Sequence, residues 1–440
     1  MSITATPGPT TQWAIALTDL VSPAQQFRMV EADSSSTLQH GTANCFLATT
    51  SAFAASTISG NSFAFQFGGE NPSGNSGTTT SSSTTSKAAV GRFTASSGSI
   101  TAGLIDMAKS GCTTAEEDTF TGTYTSPDAN GRLYLTLTPT QQTAATCPSN
   151  TTATVAPAFG LNPKPEAGGG GGSVTLAVYI VDANRMFIME TTAGDGLFAG
   201  NVRKQLSAPY SNSSIKGPFV LYMQGSETTN NGMTGSRSQL FQGTGDGAGN
   251  LTVNASYSDK DGTYSVGDSN GGPIPVVIGA NGLTTLKPGN GEVYMELFGI
   301  DNTFIMSVDG DGSFESGWVE PQVQPASSAP FGFAYIKGTY LIGQMPAMDP
   351  TQNGNVGEFT LDQSGNISGA ISQGGESGLT FDQSMNLSYT WDSTTYGSFI
   401  ITDPSDTSGK GGISCVAINA QKFACTMQSD KSPSVLLFQQ

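Results

Sequence analysis

One phrase of about thirty residues recurs along this chain, and it narrows the fold more than any other feature. Residues 173–205, SVTLAVYIVDANRMFIMETTAGDGLFAGNVRKQ, hold three short apolar runs. Turns at Asp182-Ala183-Asn184 and Gly194-Asp195-Gly196 separate them. Residues 291–322, GEVYMELFGIDNTFIMSVDGDGSFESGWVEPQ, repeat the order of parts, and so do residues 413–440. Residues 16–46 are a looser copy. Short apolar runs divided by Gly, Asn and Asp read as antiparallel strands joined by tight turns. A repeat misread is a fold misread, so the architecture is argued from it.

Each full copy closes a longer series. The series near residue 62 opens with SFAFQFGG, continues through hairpins turning at residues 96–99 and 127–131, and ends in the phrase. Within it Leu133, Leu135 and Leu137 alternate with Tyr134 and Thr136, the period of a half-buried strand. The chain is therefore expected to be all-β: three tandem antiparallel modules of about eight strands, each an up-and-down barrel or a two-sheet sandwich. Pro and Ser clusters place the modules at 62–217, 218–330 and 331–440, after a tail at 1–12. The first module carries two Ser/Gly-rich insertions, 70–87 and 139–172. In the second, Pro273-Ile274-Pro275 stands where the first has Gly122-Thr123-Tyr124.

Residues 13–61 form a partial repeat and linker. Their three strands are expected near 13–20, 26–31 and 41–46. Three strands bury too little to stand alone, and their edges invite pairing. They are expected to complete a neighbouring sheet, in this chain or by self-association through residues 13–46.

The formal charge is −17, which repels phosphate backbones and argues against nucleic acid. No apolar run nears the roughly 18 residues of a membrane-spanning helix. The N-terminus lacks the basic start and apolar core of a signal peptide, yet the Ser, Thr, Gly and Asn content points to an extracellular or cell-surface protein. Cys415 and Cys425 flank the Asn419-Ala420-Gln421 turn symmetrically, so a hairpin sets them opposite each other, about 4.5–5.5 Å apart at Cβ. A disulfide is expected there and a second between Cys112 and Cys147, leaving Cys45 over.

Catalytic devices are scarce. The sole histidine, His40, sits in a polar stretch with no nucleophile motif nearby, and the phosphate-loop pattern is missing. Asp309-Gly310-Asp311-Gly312-Ser313 and Asp259-Lys260-Asp261-Gly262-Thr263 put oxygens at alternate positions. Asp309, Asp311, Asp259 and Asp261 are therefore the candidate calcium ligands, although neither stretch completes a twelve-residue calcium loop and Asp-Gly is also an ordinary hairpin turn. Asp106, Glu190, Glu292 and Glu296 are the strand carboxylates that a glycoside hydrolase pair would draw on. Trp13, Trp318, Trp391, Tyr179, Tyr294 and Tyr389 fall on strands, where they stack on sugars if exposed and fill cores if buried.

Through Gly91-Arg92-Phe93-Thr94, Gly98-Ser99-Ile100-Thr101-Ala102-Gly103, Gly122-Thr123-Tyr124-Thr125 and Gly131-Arg132, the chain resembles a family of uncharacterised exported tandem β-repeat proteins of soil bacteria. The resemblance spans nearly the whole chain and is weakest in the second module. It implies export and brings no catalytic residues. Together these features point to a structural or adhesive surface protein, a glycan or envelope component, without catalysis. A barrel holding a small apolar ligand is the alternative, and a carbohydrate-active protein the third reading.

Overall fold

The computed structural model describes residues 2–3, 11–17, 26–33, 40–71, 85–143, 146, 173–191, 197–206, 208–228, 234–260, 263–268, 272–287, 291–300, 302–326, 330–345, 354–375, 378–405, 412–427 and 434–440. The all-β class is what the chain adopts, and two of its bodies are closed eight-stranded barrels. No helix among the described residues is long and apolar enough to cross a membrane.

Strands β1 (Ser2–Ile3), β2 (Thr11–Leu17), β3 (Gln26–Asp33) and β4 (His40–Phe46) form one sheet in sequence order. The sequence led us to expect this sheet to complete a neighbouring one, yet among the described residues it extends none by edge pairing. It lays a face across the C-terminal barrel instead, with Ala14 and Val30 against Val356. Small and β-branched side chains at this contact, with partly buried Ala16 beside them, let the two sheets approach closely.

Barrel one comprises β5 (Asn61–Asn71), β6 (Thr85–Ser96), β7 (Ser99–Lys109), β8 (Glu116–Tyr124), β9 (Arg132–Thr143), β10 (Val174–Ile180), β11 (Arg185–Glu190) and β12 (Leu197–Lys204). It closes where β12 pairs with β5, Val202 opposite Phe65. The hairpin between β6 and β7 turns on Ser97 and Gly98, with φ of 50° and 85°. Both residues at positive φ match the right-handed strand twist. Alternation sends Leu133, Leu135 and Leu137 inward, where Phe63, Phe65, Phe67, Phe93 and Phe120 fill the lumen. Gly103 is bare because the Phe120 ring lies over it; a Cβ there would meet the ring at 2.3 Å. The segment before the barrel, with helix α1 (Ala55–Ile58), adds Ala52, Phe53 and Ile58 to this core as an end plug.

The middle body contains β13 (Lys216–Thr228), β14 (Thr234–Asp246), β15 (Asn250–Lys260), β16 (Thr263–Asp268), β17 (Ile274–Pro275), β18 (Leu283–Leu286), β19 (Glu292–Gly299), β20 (Asn302–Val308) and β21 (Phe314–Pro321). Its order is β16-β15-β14-β13-β21-β20-β19-β18, with the short β17 on β15. Among the described residues this sheet stays open. Pro273 and Pro275 lack the N–H groups a ladder needs, so the strand that would bridge the gap shrinks to two residues.

Barrel two runs β22 (Gly338–Gln344), β23 (Gly354–Leu361), β24 (Asn366–Gly375), β25 (Gly378–Ser393), β26 (Ser398–Thr402), β27 (Ile413–Asn419), β28 (Lys422–Met427) and β29 (Val435–Gln439), closing between β29 and β22. Cys415 and Cys425 face each other in the β27–β28 ladder and are disulfide-bonded. Cys112 is also disulfide-bonded, and its expected partner Cys147 lies outside the described residues. Cys45 is free.

The bodies adhere through strands buried on both faces. Ala64, Ala88 and Ala108 on the outside of barrel one receive Tyr294, Phe304 and Met306 of the middle sheet. Val220, Tyr222 and Leu240 on the other half of that sheet pack on Val416, Ala424 and Leu437 of barrel two. Gln224 stitches this second seam, donating to the Met345 carbonyl at 3.2 Å and accepting from Val435 N–H at 3.1 Å. It is fully buried, so both bonds are made where water cannot compete.

Candidate functional site

Two of the four strand carboxylates meet. Asp106 of β7 and Glu296 of β19 come together where barrel one contacts the middle sheet, and Arg92 of β6 donates to Glu296 Oε1 at 3.2 Å. Burial is the main reason the Asp106 carboxyl sits well above the usual range, with Glu296 and Glu117 adding repulsion. Burial also pushes Glu296 up to about 8, with Arg92 opposing. Glu296 is 0% and Asp106 2% exposed, beside a seam of alanines and aromatics. A sugar ring needs open space between two such carboxyls. Glu292 is held instead by Tyr294 and Lys287, each at 2.7 Å, and Glu190 is buried on β11.

The acidic turns sort differently. Asp309 to Ser313 is the hairpin between β20 and β21: Asp309 N–H donates to the Ser313 carbonyl at 2.8 Å, and the Asp311 carboxylate accepts from Ser313 N–H at 2.9 Å. The Asp309 carboxylate pairs with Arg237 of β14. Asp259 is buried on β15, and Asp261 lies outside the described residues. Among the described residues no three His, Cys, Asp or Glu side chains gather as metal ligands. The side chains of His40 and Trp13 lie outside the described set. Trp391 and Tyr389 pack in the core of barrel two, and Tyr294 is buried in the seam.

Two cavities stand out among the described residues. The first is the lumen of barrel two. One end is filled by Tyr340, Tyr389, Phe399 and Phe423, with Phe331 and Ile336 of the preceding segment as plug. Towards the other end a cavity of about 270 Å³ opens among Ile371, Met385, Leu387, Ile413 and Met427. Gln373 and Gln383 supply polar groups at its wall.

The second lies where all four bodies meet, with a volume of about 530 Å³. The N-terminal sheet contributes Arg28, barrel one Arg203, the middle sheet Tyr222, Trp318 and Glu320, and barrel two Lys422. Lys422 and the Tyr222 hydroxyl both donate to Glu320, and Lys422 also lies 3.4 Å from that hydroxyl. Arg203 lies over Trp318, 5.4 Å from the ring centroid. Arg28 is 2% exposed, and its Nε and Nη1 have no hydrogen-bond partner. Burial pushes both guanidiniums down to about 10, helped at Arg203 by the neighbouring Arg185; both stay cationic at neutral pH. Leaving a buried charge uncompensated costs roughly 3–5 kcal/mol.

Sequence reasoning nominated only Trp318 and Tyr179 of this second cavity's lining. One signal for Arg28 was present. Period two puts Arg28 on the same face of β3 as buried Val30, so a charge is written into an apolar face.

No protein-family model and no curated protein matches the chain. Among solved structures, transferrin-binding protein B of Haemophilus parasuis, as a Tyr-167-Ala and Trp-176-Ala double mutant, is similar at 11% identity. It covers 97% of this chain and 85% of its own, with a TM-score of 0.21. The isotype 1 transferrin-binding protein B of serogroup B Neisseria meningitidis matches at 8% identity, 87% and 75% coverage, and a TM-score of 0.22. Scores this low leave the likeness too slight to bear on fold or function.

Proposed function

We propose that this chain is a non-catalytic, exported β-barrel protein that takes a small apolar molecule into the lumen of barrel two. The observation that carries the reading is the contrast between the two barrels. Six phenylalanines, Phe198 among them, fill the interior of barrel one, whereas barrel two keeps an apolar cavity of about 270 Å³ beside flexible, polarizable Met385 and Met427. That volume lies just below the usual range of ligand sites, about 300 to 1,000 Å³, and so suits a small occupant. Export is supported by the disulfide across β27 and β28, a bond that persists in oxidising compartments. The non-catalytic reading is supported by the sealed position of Asp106 and Glu296.

The test is titration with the uncharged fluorophore N-phenyl-1-naphthylamine, comparing the full chain with Met385→Trp. The expected result is saturable binding near one per chain, lost in the variant while melting is unchanged or raised. Equal binding by both proteins, or none by the native chain, overturns the reading.

A structural or adhesive role is favoured by one feature. Strands β16 and β18 end the open middle sheet, and an edge strand can accept another chain. Concentration-dependent filaments under the electron microscope support that role; a monomer at all concentrations removes it.

A further inference from the structure

We infer that the junction of the four bodies is a binding site for a small organic oxyanion, a carboxylate, sulfonate or phosphate head carried on an aromatic or apolar body. Three observations converge on it, and none depends on the lumen of barrel two.

The first is the unmet demand of Arg28. Its guanidinium borders the cavity, is 2% exposed, and leaves Nε and Nη1 without partners. The position is built for it. Gly343 of β22 has no side chain where Arg28 lies, and a Cβ there would fall 2.3 Å from Nη1 and 2.4 Å from Cδ. A guanidinium offers a planar fork of donors that matches an oxyanion edge-on.

The second is charge. Arg28, Arg203 and Lys422 line the cavity against one carboxylate, Glu320, so three cations less one anion leave a surplus of two positive charges. The whole chain carries −17. Glu320 is already shared by Lys422 and Tyr222, and the nearby Arg185 has its own partner in Asp182 at 2.7 Å. Among the described residues no second carboxylate lines this wall. Positive charge focused in a low-dielectric recess of an acidic molecule selects an anion that diffuses in.

The third is the shape of the remaining wall. Phe46, Phe187 and Trp318 face the same space. Arg185 stacks on Phe46 at 4.6 Å and Arg203 on Trp318 at 5.4 Å, which fixes guanidinium planes beside aromatic ones. An inorganic ion would leave these rings unused in a cavity of about 530 Å³, whereas an aromatic acid engages both rings and cations.

The experiment is calorimetric titration of the full chain with naphthalene-1-sulfonate and, separately, with uncharged 1-naphthalenemethanol. The Met385→Trp background keeps the lumen of barrel two out of the readout. The expected result is saturable one-to-one binding of the sulfonate that weakens with added salt, and at least tenfold weaker binding of the alcohol. Arg28→Met is expected to weaken the sulfonate at least tenfold and leave the alcohol unchanged. If Arg28→Met loses its cooperative melt, Arg203→Gln carries the same comparison from a half-buried position, with a several-fold loss expected. Absence of saturable sulfonate binding, equal affinity in the folded variants, or an equal loss for sulfonate and alcohol overturns the inference.

Discussion

Arg28 of β3 lies directly on Gly343 of β22, so the N-terminal sheet meets barrel two at a point where one residue is bare and the other is charged and buried. A side chain at Gly343 must displace the guanidinium or open the contact. Gly343→Val is therefore expected to cost about 1–3 kcal/mol, the range of overpacked cores. Chemical denaturation reads the loss. Gly343→Val combined with Arg28→Ala is expected to recover part of it, because the clash is then removed.

The carboxyls between barrel one and the middle sheet predict a pH dependence. Glu296 holds its proton up to about 8 in the folded chain, against an ordinary value of 4.5, and Asp106 shifts in the same direction. The folded state thus binds more protons than the unfolded state between those values. This contribution is fully present below about 4.5 and is lost as pH rises through 8. Denaturation midpoints are expected to fall between pH 5 and pH 9. Glu296→Gln is expected to flatten the profile and to exceed the native chain at the alkaline end.

The disulfide across β27 and β28 closes a short loop, with a sequence separation of 10. Chain-entropy reasoning assigns about 3 kcal/mol to a loop of this size. Replacing both Cys415 and Cys425 with Ser is expected to lower stability by that order. Peptide mapping without reductant is expected to recover the two cysteines linked to each other.

Phe65 sits among Phe67, Phe93 and Phe120, with ring centroids 5.7, 6.2 and 6.3 Å away. Truncation leaves a hole that these stiff rings cannot close. Phe65→Ala is expected to cost about 3–5 kcal/mol in a denaturant melt.

The legible part of this fold was its local grammar. Alternation in residues 132–138 predicted which leucines face inward, and the symmetric placement of Cys415 and Cys425 about a turn predicted their bond. Both are short-range effects, fixed by a period of two and by hairpin register. What was hidden depends on how separate bodies dock. Asp106 and Glu296 are 190 residues apart and meet only because outward alanines on barrel one admit the middle sheet. The docking of β2 to β4 by a face rather than an edge was hidden for the same reason. The segments between bodies were read as linkers from their Pro and Ser content. Ile58, Tyr210 and Ile215 within them proved to be core residues, and Phe331 and Ile336, at the start of the third module, plug barrel two. Isolated apolar residues in a polar stretch were the signal, and periodicity analysis passes over residues that have no period.

Those plugs set the cutting points for anyone dissecting the chain. A fragment beginning at the first strand of either barrel leaves an uncorked end with aromatic rings in water, so it is destined to clump. Excised pieces must start upstream, before Thr50 or before Phe331, to carry their own stopper.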